Sequence, residues 1–257
     1  MKVMYPLALV VAAVAMLATS VPASETDSRI ESAFKKSFVY KTYLKDENIK
    51  ISSKDGVVTL SGSVGNDSHK PMAQDTAEAL PGVRSVDNRI EITGDRPAEN
   101  SDTWLSMKVK GALLFHRNVN ASGTDVTLKD GNVTLRGEAS SQAQKDLTGE
   151  YAKDVDGVKA VNNEMTVAKV PAKDKETLGE NIDDASITAQ VKMSLLSHRS
   201  TSLLKTKVTT TDGIVTLGGN AKNAAEKDLV TKLVTDINGV KSVVNGMRVE
   251  EAVSNNK

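Results

Sequence analysis

The chain has 257 residues, and its 33 basic and 33 acidic side chains cancel, so no global field draws it to nucleic acid. It contains no cysteine, which excludes disulfides, thiolate metal sites and a catalytic thiol within these residues. Stability must therefore come from packing alone. At the N-terminal end Lys2 precedes an uncharged run from Leu7 to Leu17, too short to span a bilayer, and then Val21-Pro22-Ala23-Ser24. This pattern predicts a cleaved export signal over residues 1–23 and a periplasmic address for the mature chain.

From residue 27 onward the sequence repeats three times. Asp55-Gly56-Val57-Val58-Thr59-Leu60-Ser61-Gly62 returns as Asp130-Gly131-Asn132-Val133-Thr134-Leu135-Arg136-Gly137 and as Asp212-Gly213-Ile214-Val215-Thr216-Leu217-Gly218-Gly219. A second block, Gly82-Val83-Arg84-Ser85-Val86-Asp87-Asn88, returns as Gly157 to Asn163 and Gly239 to Asn245 at the same distance from the first. A unit of this size can close a small core of its own, which predicts three small modules at 27–92, 102–167 and 184–249. The stretches 93–101 and 168–183 read as linkers, and 250–257 as a tail with nothing to pack.

Each module opens on an acidic residue, Asp27, Asp102 or Asp184, placed to cap a first helix. Apolar residues come next at helical spacing: Ile30, Phe34 and Phe38; Leu105, Val109 and Leu113; Ile187, Val191 and Leu195. The period then falls to two, and the Asp-Gly pair between β-branched runs predicts a two-residue hairpin turn, the second strand ending at Gly62, Gly137 or Gly219. A second helix buries Ala73, Ala77 and Leu80, or Thr148, Ala152 and Val155, or Val230, Val234 and Ile237. Gly82, Gly157 and Gly239 stand where a helix ends in a left-handed residue, and a third strand closes each module. The predicted class is α+β: helix-strand-strand-helix-strand, with both helices on one face of a three-stranded mixed sheet.

The two blocks, spaced alike in all three copies, resemble the BON domain family of bacterial envelope modules over nearly all of the chain beyond its signal. The resemblance implies this same fold, a periplasmic address, association with envelope or osmotic stress, and binding to phospholipid surfaces. Family members often carry two such domains and, in some, an anchoring lipobox cysteine; this sequence has three copies and no such cysteine.

Nothing in the chain reads as catalytic. His69, His116 and His198 have no second metal ligand beside them, and phosphate-cradling loops, nucleophile elbows and metalloprotease motifs are missing. The expectation is a non-enzyme with no cofactor and no metal. The pairs His116-Arg117 and His198-Arg199 occupy equivalent positions just past helix one, where positive side chains suit the negative helix end. Asp183 and Asp184 read as solvated and capping carboxylates. One feature breaks the repetition: Trp104, Met107, Gly111, Leu114 and Phe115 share a face of the second module's first helix away from its core stripe, with Lys108 and Lys110 beside it. Either a neighbouring module covers this face or it meets lipid or protein. The third module, with nine Lys/Arg against five Asp/Glu, is the basic one. The expected partners are an anionic phospholipid surface, with Trp104, Met107, Lys108, Gly111, Leu114 and Phe115 as the contact, or else envelope proteins bound in a chaperone-like or scaffolding role.

Overall fold

The computed structural model describes residues 23–93, 98, 101–168, 182–201 and 206–250. The predicted export signal lies outside the described residues apart from Ala23, as do most of both predicted linkers and the tail beyond residue 250. In the first module α1 (Ala23–Lys36) precedes the hairpin β1 (Asn48–Lys54) and β2 (Val57–Val64), then α2 (His69–Glu78) and β3 (Ser85–Ile92). The second contains α3 (Asp102–Phe115), β4 (Thr124–Lys129), β5 (Asn132–Ala139), α4 (Gln142–Asp154), β6 (Ala160–Asn163) and β7 (Thr166–Val167). The third repeats this with α5 (Asp184–Ser197), β8 (Thr206–Thr211), β9 (Ile214–Ala221), α6 (Ala224–Thr235), β10 (Ser242–Asn245) and β11 (Arg248–Val249). The second hairpin strand is central in every sheet, antiparallel to the first and parallel to the third. The predicted class and element order are those observed.

Local chemistry explains the turn that starts each sheet. The Asp-Gly pairs sit at positive φ in both positions, 54° and 77° at Asp55 and Gly56, with near-identical values in the other copies, as a mirror-image two-residue turn requires. An aspartate tolerates that conformation better than most residues, and a further contact holds it there. The holder is the acidic residue predicted as a helix cap. Asp102 accepts the N–H of Asp130 at 2.7 Å and of Gly131 at 2.8 Å; Asp184 does the same for Asp212 and Gly213, and Asp27 for Asp55 and Gly56. These bonds, led by that from Gly56, hold the Asp27 carboxyl below the ordinary carboxylate range. Ser101 and Asp183 are the caps of α3 and α5 instead, accepting from Trp104 N–H and Ser186 N–H.

Two other sequence expectations are corrected. The second strand does not stop at its glycine but runs two residues further, because Gly62, at φ +108°, lets it stay paired where any Cβ would lie 1.8 Å from the Asn48 carbonyl oxygen. Gly82, Gly157 and Gly239 have positive φ, as expected, but lie past the helix end in four-residue turns closed by Val83, Val158 and Val240 N–H groups. The asparagine ending each second block then pins the third strand to the second helix. Asn163 donates to the Lys145 carbonyl at 2.7 Å and accepts from Met165 N–H, as Asn88 and Asn245 do in their modules.

The modules are packed together. In α5, ten of fourteen residues are buried, including Ser186, Ala189 and Met193 off its core stripe, while Leu196 near its C-terminal end stays 54% exposed. It packs on α2 of the first module and α3 of the second, and the first and third modules share one continuous apolar cluster. Replacing Asp184 with Ala removes a charged acceptor from two turn amides and should cost about 1–3 kcal/mol, read as a lower urea midpoint. An unchanged midpoint would show that the turn needs no clamp.

Candidate functional site

The predicted contact residues all lie on α3, but one of them is turned away from its outer side. Trp104, Met107, Lys108 and Gly111 are half-buried along one side, Lys110 is exposed, and Leu114 is 40% exposed. The Lys108 ammonium lies 4.4 Å from the Trp104 ring centroid and donates to the Asp156 carbonyl at 3.2 Å, fixing the indole beside a cation. Phe115 does not belong to this face. It is 2% exposed and meets Tyr43 of the first module edge-on at 6.0 Å, so its apolar character serves assembly.

The same face of α5 has a different fate. Ser186, Ala189 and Met193 stand where Trp104, Met107 and Gly111 stand on α3, and the first module covers them. Ser186 Oγ accepts Val39 N–H at 3.0 Å, Asp183 accepts Phe38 N–H at 2.7 Å, and Lys192 bonds Asp75 at 2.8 Å. In the first module helix one stops at Lys36, and a π-helical turn, Tyr40–Leu44, comes after the segment that makes these contacts. Burial raises the Asp75 carboxyl above its ordinary value in spite of Lys192. Lys110 is the counterpart of Lys192 and is exposed. Domain packing thus covers one of two equivalent faces and leaves the other, with the chain's single tryptophan, at the surface.

Beside the open face, the second and third modules grip each other about a pseudo-two-fold axis. Arg117 N–H donates to the Asp236 carbonyl and Arg199 N–H to that of Asp154; Asn238 N–H donates to Phe115 and Asp156 N–H to Ser197. The Arg117 guanidinium bonds the carbonyls of Thr235, Ile237 and Val240 at 2.6–2.8 Å, while that of Arg199 reaches Val155 and Val158 at 3.3–3.5 Å. The His-Arg pairs therefore do place charge at a helix C-terminus, but at the end of helix two in the neighbouring module rather than helix one in their own. The first module is excluded from this grip by its sequence: Lys41-Thr42 replaces His-Arg, Ala79 replaces the aspartate, and Pro81 removes the donor N–H.

The symmetry is broken at the rings. His116 stacks on Tyr151 at 3.7 Å, and Asp236 takes the Tyr151 hydroxyl and the Asn118 amide and lies 3.3 Å from His116 Nδ1. Burial pushes Asp236 up, but His116, Tyr151 and Arg117 outweigh it and hold the carboxyl below its ordinary value. Burial, with the Asp236 contact, raises the Tyr151 phenol. In the third module Leu233 occupies the place of Tyr151. Among the described residues there is no group of three or more metal-ligating side chains, and no helix is long and apolar enough to cross a membrane.

Three mixed sheets, each set by a clamped hairpin and backed by two helices, define a protein of three tandem α+β modules. The BON domain model matches residues 26–94, 101–169 and 183–251, and the chain belongs to the BON domain family. It is similar to the osmotically-inducible protein Y of Escherichia coli K12, 31% identical over 204 residues, covering 79% of this chain and 98% of that protein. A protein of the gshII 5' region in Anaplasma centrale is 30% identical over 151 residues, covering 59% of this chain and 96% of its own length. The outer membrane lipoprotein DolP of Haemophilus influenzae is 28% identical over 144 residues, covering 56% of this chain and 72% of the lipoprotein.

The unequal arginine contacts make a direct prediction. Arg117→Ala should lower stability by about 1–2 kcal/mol, after allowance for solvent screening of a partly exposed group, and Arg199→Ala by less than half as much. Urea unfolding followed by circular dichroism measures both; equal losses would contradict the asymmetry.

Proposed function

We propose that this chain is a non-enzymatic protein of the bacterial envelope, exported to the periplasm and acting in osmotic stress, that associates peripherally with anionic phospholipid through the Trp104 face of α3. The observation that carries this reading is the contrast between two equivalent helix faces. The first domain buries Ser186, Ala189 and Met193 of α5, whereas Trp104, Met107 and Gly111 of α3 stay half-buried; Leu114 and its counterpart Leu196 are both exposed. An indole beside a lysine, with Leu114 at the surface and Lys110 exposed nearby, matches the apolar-plus-cationic chemistry of a membrane interface. Lys207, Lys222 and Lys241 of the basic third domain are also exposed and add to attraction by an anionic surface. The names of the relatives, an osmotically inducible protein and an outer membrane lipoprotein, support the envelope and stress parts of the proposal.

A second reading, chaperone-like or scaffolding binding of envelope proteins, is favoured by one observation: the equivalent face of α5 already accepts a protein surface, α2 with Asp75. Titration with vesicles containing phosphatidylglycerol separates the two. The lipid reading expects a blue shift of tryptophan emission and co-flotation, with Trp104→Ala abolishing the flotation and Lys110→Glu weakening it by roughly tenfold, two charge units near the surface at ~1 kcal/mol each being an upper bound. No shift at low salt, combined with suppression of aggregation of an unfolded envelope protein, would favour the second reading and overturn the first.

A further inference from the structure

His198 ends α5 at the junction of the second and third domains, and its backbone bridges Val155 antiparallel. Its side chain is 8% exposed. It lines a void of about 10 Å³ together with His116, Tyr151 and Asp154, space for about one water molecule. The ring's state is set by one contact: Nδ1 accepts the Ser200 N–H at 3.1 Å. An accepting Nδ1 carries no proton, so the single ring proton is on Nε2, which is buried with no hydrogen-bond partner among the described residues, 3.5 Å from Asp154. A second proton would have to go on Nδ1, directly against the Ser200 N–H. Its counterpart differs: His116 turns Nδ1 toward the Asp236 carboxylate, 3.3 Å away, and stacks on Tyr151.

We propose that this junction is an acid-operated hinge, held shut by neutral His198 and opened when His198 takes up a second proton. The charged groups around it leave little compensation. Arg199 on its own segment and His116 from α3 oppose a cation there; Asp154 from α4 favours one but is 39% exposed, so water screens it. Beyond His116 lie Arg117 and Asp236, already engaged with each other's domains. Burial, the largest influence, pushes the imidazole below its ordinary value. A histidine depressed in the folded state supports that state above its unfolded value, near 6.5, and withdraws the support as pH falls below it. The groups that part on opening are those next to the ring: Asp156 N–H from the Ser197 carbonyl, and Arg199 N–H from that of Asp154.

Amide hydrogen exchange of the full chain at pH 7.5 and 5.0, corrected for intrinsic rates, tests the hinge. The amides of Asp156 and Arg199 should lose at least tenfold protection at pH 5.0 while those of Val133 and Leu135, within the second domain's sheet, keep theirs. In His198→Asn the side-chain oxygen takes the place of Nδ1 and cannot be protonated, so protection should persist at both pH values. Equal protection of the wild-type junction at both pH values, or full acid loss in His198→Asn, would overturn the proposal. Should that variant fail to fold, titration of the wild-type His198 ring by NMR decides: a midpoint below 6.5 supports the hinge, and one at or above 6.5 overturns it.

Discussion

The assembly depends on α5 packing against all three domains at once, with Leu196 its one large exposed apolar side chain. A first helix in this fold needs only one apolar stripe, and Ile187, Val191 and Leu195 provide it for the sheet of their own domain. The rest of α5 is given to neighbours. Most of its buried polar groups are matched: Ser186 bonds Asp183 and receives Val39 N–H, Thr188 meets Thr210 at 2.7 Å, and the Gln190 amide donates to the Ser186 carbonyl, while the Gln190 side-chain oxygen has no partner among the described residues. Small side chains at Ser186 and Ala189 let the backbone of the first domain approach closely enough for those bonds to form. The first and third domains consequently share one core, while the second keeps its own.

This arrangement decides which surface is left for recognition. The second and third domains are related by a pseudo-two-fold axis, and each presents a first-helix face of the same kind. Only one of these faces receives the first domain. A tryptophan at position 104, where α5 has Ser186, is too large to admit the backbone contact that Val39 makes on α5, so the two faces are not interchangeable. The residues common to the copies (the clamping aspartate, the turn glycines and the pinning asparagine) make the modules. The residues that differ decide assembly and exposure.

Much of the fold is legible in the sequence because its signals are local. Asp-Gly between β-branched runs, helical spacing and the constant gap between the two blocks each act over a few residues. The acidic residue at the head of each module reads as a helix cap and proves to be a turn clamp for a physical reason: a carboxylate that caps its own helix and one that reaches 28 residues ahead to hold a turn have the same sequence signature. The His-Arg pair carries the right electrostatics but serves another module's helix, since nothing local says which domain will dock there. The absence of that pair from the first module, together with Ala79 and Pro81, is the available clue. Of the proposed contact residues, Trp104 is half-buried and Leu114 exposed, whereas Phe115, buried against Tyr43, cannot be told from them in the sequence without that partner. Burial of Ser186 and Ala189 is illegible because small polar residues look the same on a solvated face as in a close helix contact.

Zero-length carbodiimide cross-linking of the native chain, read by mass spectrometry, tests most directly which helix seats the first domain. Linkage of Lys192 to Asp75 or Glu78 is expected, at 2.8 and 3.4 Å, with Lys110 unlinked to either. Linkage of Lys110 to those carboxylates, without Lys192, would put the first domain on α3 and contradict the open Trp104 face.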